Sequence, residues 1–345
     1  MRTKLLIIIF LIGLSCSAQE YLSGFSYNNE AADDVKLMKK RSNVISLPFF
    51  DDFTESDVTP DASKWQNKNV LVHSGFPLFP ANYNAATFDA LDATGKVYTH
   101  ASSSPFVADS LISNPISLGA LTPADSIYLS FYYQPQGNGD APETNDSLVL
   151  MFGYKPDSVM IWDHIWSSPG MTLDSFLIEN DNQYFKQILI PVTKEEYFEN
   201  ELVILFYNYA SITSTMYPND RSNVDNWNID FIYMNKNRSA EDTSYPMVSF
   251  SEKSPSLLRR YQSMPYRQYV NNPTASIATE YQMYVSNLDS AAHNTQYLCH
   301  IENLSSGWTY DYEGSWLNTD EGITEITASP KNFLFDMNDK VDTAS

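Results

Sequence analysis

Cysteine is nearly missing: the 345 residues hold 2, Cys16 and Cys299, too few for a disulfide framework. Histidine is scarce as well. His73, His100, His164, His293 and His300 are scattered, and of these His293 and His300 alone stand near metal-ligand spacing, on either side of a turn and a strand. Basic residues number 21 against 42 acidic, a formal net charge of −21. That sign repels nucleic acid and disfavours anionic lipid, and it suits calcium or a cationic partner. Acidity also keeps an exported protein soluble without any ligand. The sequence has no HExxH metalloprotease motif, GxSxG elbow, phosphate loop or dinucleotide fingerprint, so the expectation is no enzyme. A glycosidase is the one class this leaves open, because its two carboxylates have no local signature.

Long apolar runs are missing too, except at the start. Arg2 and Lys4 precede the run Leu5–Leu14, followed by the small residues Ser15, Ser17 and Ala18. This is the pattern of a signal peptide, 1–18, and its apolar core is far shorter than the roughly 20 residues of a spanning helix. Two processing routes stay open: cleavage after Ala18, or lipidation at Cys16. After the first, Cys299 alone remains and no intrachain disulfide forms. The mature chain is expected to be exported, at the cell surface, associated with the outer membrane, or extracellular.

What the sequence does hold is aromatic side chains, 23 Tyr, 19 Phe and 6 Trp, among many Thr, Ser and Asn. These suit pleated, half-buried surfaces. Strand-length apolar runs occur at Ile127–Tyr133, Leu148–Phe152, Ile188–Val192, Leu202–Tyr207 and Trp227–Met234. In the last, Trp227, Ile229, Phe231 and Tyr233 fall on one face at the two-residue period of a strand. Helix signals are few: Asn29–Lys40, and the capping-box spacing of Thr193–Glu196. The predicted fold class is all-β, a sandwich at 45–236 after an N-terminal extension at 19–44.

From Asn235 to Asn272 the chain turns polar and Pro-punctuated, and 237–272 is predicted as a linker. Beyond it Ala275–Leu288, Thr295–Leu304 and Trp308–Trp316 resemble the opening strands of an immunoglobulin-like sandwich at 273–345. The 73 residues there fall short of the roughly 100 of such a sandwich, so an incomplete domain is expected.

The first domain opens with Leu47–Phe53, reaches Trp65, and continues through Ala86–Asp89, Leu129–Tyr133, Trp162–Gly170 and Trp227–Asp230. This order resembles the MAM and related concanavalin-like jelly-roll domains over Ile45–Lys236. The resemblance implies that the opening acidic-aromatic strand and the closing strand ending in Ile-Asp lie side by side in one sheet. It also implies a calcium-holding oxygen shell, here Asp51, Asp52 and Asp230. The disulfides of animal MAM domains have no counterpart. Proteins of this build resemble exported proteins of bacteria with a type IX secretion system, although the C-terminal sorting domain of that cargo is not recognisable.

A second acidic loop, Gly137–Asp140 through Glu143 and Asp146, is rich in oxygen but lacks EF-hand spacing. Loop aromatics that could cover the apolar face of a sugar are Trp162, Trp166 and Tyr217, although Trp162 and Trp166 share one strand face and read first as a pair of core or inter-sheet aromatics. Asp-Ser before an apolar residue recurs and marks Ser110, Ser126, Ser147, Ser158 and Ser290, with Thr343 as the threonine version. The form resembles an envelope-protein O-glycosylation acceptor, and it is also an ordinary turn into a strand. The expected function is a noncatalytic exported protein binding an envelope or extracellular protein, or a glycan. The alternative is the binding region of a larger exported hydrolase, a glycosidase or peptidase.

Overall fold

The structure, a computed structural model, describes residues 44–56, 58–119, 121–157, 159–212, 224–303 and 307–328. The leader at 1–18, the helix expected at Asn29–Lys40, Tyr217, Ser158 and Thr343 lie outside the described residues.

The first unit is built from ten longer strands and a short parallel pair, β1 (Ile45–Ser46) with β6 (Ile116–Ser117). One sheet contains β2 (Phe49–Asp51), β3 (Leu71–His73), β4 (Ala85–Phe88), β7 (Tyr128–Pro135), β10 (Lys186–Pro191) and β12 (Trp227–Asn235). Its spatial order is β10-β7-β12-β4-β3, with β2 on β12 beyond β4. The other is β5 (Phe106–Ile112), β11 (Val203–Ala210), β8 (Ser147–Tyr154) and β9 (Ile161–Pro169), in that order. All pairings within both sheets are antiparallel. The five strands expected from apolar runs are β7, β8, β10, β11 and β12, each within a few residues of its expected bounds. The opening strand does lie beside the closing one, with Asp51 opposite Ile232 and Phe49 opposite Met234.

The inward side chains follow from strand alternation. Leu129 and Phe131 of β7, Trp227 and Ile229 of β12, Leu148, Leu150 and Phe152 of β8, and Ile204 and Phe206 of β11 form one buried core. Phe131 and Phe206 meet edge-to-face across it at 4.9 Å between ring centres. Two short helices add Leu173, Phe176 and Tyr197 to that core, α1 (Leu173–Glu179) and α2 (Glu196–Glu199). The first was not expected; Thr172 Oγ1 caps it by accepting from Ser175 N. The second occupies the expected turn, although its N-cap is Glu195 and no side chain caps it.

The expected single face of β12 is broken by a bulge between Asp230 and Tyr233, where Phe231 takes φ 49°. Trp227 and Ile229 face the core, as do Ile232 and Met234 after the slip. Phe231 and Tyr233 point outward, to Phe50, Tyr132 and Tyr245.

The stretch 237–272, expected as a linker, is ordered structure. Arg238 donates to Tyr128 O and Tyr233 O on the first unit, and Tyr245 Oη pairs with Ser130 Oγ at 2.7 Å. Then β13 (Val248–Phe250) joins β14 (Tyr281–Asn287) and β19 (Gly322–Ala328) in a three-stranded sheet. Two antiparallel pairs complete the second unit: β15 (His293–Thr295) with β18 (Leu317–Thr319), and nested between them in sequence the hairpin of β16 (Leu298–Asn303) with β17 (Trp308–Glu313). The expected strand start at Ala275 is instead α4 (Pro273–Ser276), which follows α3 (Tyr266–Asn271). Pro273 takes the first helical position and Asn272 Oδ1 accepts from Ala275 N. The chain is all-β in both units.

Candidate functional site

Alternation on β8, β9 and β11 leaves a second face, turned away from the core. Its register is given by the pairings Val203–Gly153–Trp162, Leu205–Met151–His164 and Tyr207–Val149–Ser167 across β11, β8 and β9. Trp162 is 36 % exposed and lies over Gly153, where an added Cβ would stand 2.5 Å from its Cζ3. Tyr207 and Tyr209 stand half-buried on β11, their rings 5.6 Å apart, and Val107 of β5 is exposed opposite Tyr209. At the turn end of the β8–β9 hairpin Val159, Met160 and Ile161 are exposed as well. Aromatic and apolar groups thus run diagonally over this face, with Val149 and Val203 of the same face buried and Trp162 and Val107 exposed, a surface that can bury the flat face of a ligand.

Trp162 and Trp166 do not share a face. The ladder slips between Leu150 and Met151, so Ile165 is the extra residue on β9 and the parity reverses across it. Trp166 packs inward, edge-to-face on Phe131 at 5.2 Å and on Tyr133 at 4.9 Å. It is a core residue, and Trp162 alone of the pair reaches the outer face. Tyr207 and Tyr209 were not singled out from sequence, although Leu205, Tyr207 and Tyr209 alternate with the buried Ile204, Phe206 and Asn208.

The three aspartates expected to hold calcium are not a group whose oxygens all converge, although Asp52 lies near enough to raise the Asp230 carboxyl. Asp51 is buried and accepts from Trp65 Nε1 at 2.6 Å, Lys64 Nζ at 2.9 Å and Phe53 N at 3.2 Å. Burial raises its carboxyl despite the lowering influence of Lys64 and Trp65. Asp52 Oδ1 accepts from Thr54 N and Oγ1. Asp230 is fully buried and accepts from Asn82 N and Phe231 N; burial pushes its carboxyl up to about 8. Donors of the fold engage both oxygens of Asp51 and of Asp230 and Oδ1 of Asp52. The group of three carboxylates that converges among the described residues is another: Glu143, Asp146 and Asp225, one oxygen of each within 4.8 Å of the rest.

That cluster joins the β7–β8 loop to the start of β12. Gly170 makes room for the loop, since a Cβ there would lie 1.9 Å from Glu143 O, and Gly170 N donates to Asp146 O. Asn226 ties the other side, its N donating to Asp140 O and its Oδ1 accepting from Asp140 N. Ser211 N donates to Asp225 Oδ2 at 2.6 Å, and Ser211 Oγ to Asp146 Oδ2 at 2.9 Å. Burial first, and the neighbouring Glu143 carboxyl with it, push Asp225 and Asp146 upward. Glu143 and Asp146 belong to the acidic loop noted from sequence. Asp225 was missed, because nothing local marks it.

Of the Asp-Ser positions, Ser126 and Ser290 are exposed, whereas Ser110 and Ser147 are half-buried on strands. Ser110 Oγ accepts from Asn67 Nδ2 at 2.8 Å. The preceding aspartates are not all turn residues: Asp109 is fully buried and accepts from Asp89 N, Ala90 N and Tyr98 Oη.

No family model and no curated protein matches the chain. Among solved structures it is similar to the CBM22-1-CBM22-2 tandem domain of Paenibacillus barcinonensis Xyn10C, at 9 % identity and TM-score 0.32, covering 84 % of this chain and 86 % of that one. It is also similar to the Spr0440 glycoside hydrolase domain, Endo-D, of Streptococcus pneumoniae R6, at 9 % identity and TM-score 0.31. That alignment covers 83 % of this chain and spans 39 % of the other. Both are too distant to define a shared fold.

Proposed function

We propose that this chain is a noncatalytic exported protein that binds a glycan or an envelope protein through the outer face of β5, β8, β9 and β11. The observation that carries it is Trp162, held over Gly153 on the outer sheet face and 36 % exposed. A sugar ring offers an apolar face to an indole while its hydroxyls need polar neighbours, and His164 and Ser167 stand exposed on the same strand face. Tyr207 and Tyr209 extend the surface by two strands, on the order of 15 Å from Trp162, so the face accommodates an extended ligand. Export is supported by the leader pattern of Arg2, Lys4 and Leu5–Leu14.

The test exposes native protein to a glycan array and, in parallel, crosslinks it to envelope fractions with identification by mass spectrometry. Specific capture of a glycan set or of one envelope protein supports the reading. Capture of neither, by protein confirmed to be folded, overturns it.

A further inference from the structure

A group of buried carboxylates in the first unit lies away from the aromatic face. Asp225 is 0 % exposed and Asp146 1 %, and Glu143 closes the group from the solvent side. Their Oδ2 atoms are hydrogen-bonded to Ser211, as described above. Their Oδ1 atoms are buried and have no hydrogen-bond partner. Such an oxygen normally costs about 1–3 kcal/mol if nothing meets it, and more when ionised. Asp225 is furthermore held at φ 52°, a left-handed conformation that an aspartate adopts at a cost.

We propose that Glu143, Asp146 and Asp225 form a divalent-cation site whose ion is calcium and which fastens the β7–β8 loop to the start of β12. Oxygens within 4.8 Å of one another fit a common ion at roughly 2.3–2.6 Å from each, the distance calcium prefers. The donor set is oxygen only, with no imidazole or thiolate among the three, which selects hard cations over zinc or copper. Magnesium fits less well, since it needs near-ideal octahedral geometry at about 2.0–2.1 Å and gives up water reluctantly. The ion relieves the repulsion among the three carboxylates. It binds a different set of residues from the aromatic face, so either proposal can fail without the other.

The experiment is a calcium titration of the chelator-treated full chain by isothermal calorimetry, repeated with magnesium. The expected result is one calcium per chain at a dissociation constant of about 10⁻⁶ to 10⁻³ M, with magnesium weaker. Glu143→Gln is expected to weaken calcium by roughly tenfold or more, and Asp225→Asn to abolish it, while Asp52→Asn leaves it unchanged. Glu143 is exposed, so its variant stays informative even if Asp225→Asn fails to fold. The absence of calcium binding to wild type up to about 10 mM, magnesium binding as tightly as calcium, or full affinity in Glu143→Gln overturns the assignment.

Discussion

Trp162 and Gly153 stand directly opposite each other across the β8–β9 ladder, and the indole occupies the space a side chain at Gly153 would need. The glycine is a partner of the ring, since its missing Cβ is what lets the indole lie against the sheet.

Gly153→Ala is therefore expected to lift the indole off the strand. A Cβ 2.5 Å from Cζ3 cannot coexist with the ring where it is, and Trp162, being half-open to solvent, can swing away. Stability should change by less than about 1 kcal/mol, because a strand tolerates Ala and no core atom moves. Ligand affinity should fall toward that of Trp162→Ala. Undiminished affinity in Gly153→Ala would show that the ring's seat is irrelevant to binding.

Trp166→Ala should behave in the opposite sense. Its ring packs on Phe131 and Tyr133 inside the sandwich, so truncation leaves a cavity and costs about 3 kcal/mol, read by denaturant unfolding. Trp162→Ala in the same experiment should cost less than about 1 kcal/mol. Equal losses from the two would contradict the assignment of opposite faces.

Asp230 makes stability depend on pH. Burial raises its carboxyl from the usual range to about 8, so between roughly pH 4 and pH 8 the folded chain holds a proton that the unfolded chain has released. The native state binds more protons there, and unfolding free energy falls as pH rises through that window. Asp230→Asn, which mimics the neutral acid, should be nearer to wild type, or above it, at pH 9 than at pH 5. Thermal melts across that range check this; a constant gap between variant and wild type would rule it out.

The strands of the first unit were legible because their apolar residues alternate or run together at strand length, as in Leu148–Phe152 and Leu202–Tyr207. The side on which an aromatic lands was not, and for one reason in both failures. A bulge inserts a residue and reverses parity, which moved Phe231 and Tyr233 outward on β12 and put Trp166 inward on β9. Composition cannot report a bulge. The carboxylate cluster was half visible, as Glu143 and Asp146 share one acidic loop, but Asp225 comes to them only through the pairing of β7 with β12. The segment 237–272 read as a linker because its order depends on contacts that its polar sequence does not advertise, such as Arg238 on the carbonyls of Tyr128 and Tyr233.

The measurement closest to the central claim is the affinity of wild type and Trp162→Ala for whichever glycan or envelope protein the native chain captures, taken at equal folded concentration. If the outer sheet face is the binding surface, the variant binds at least about tenfold more weakly, a loss of about 1.4 kcal/mol, with its melting temperature within a few degrees of wild type. Equal affinity in the two proteins would place the binding surface elsewhere on the molecule.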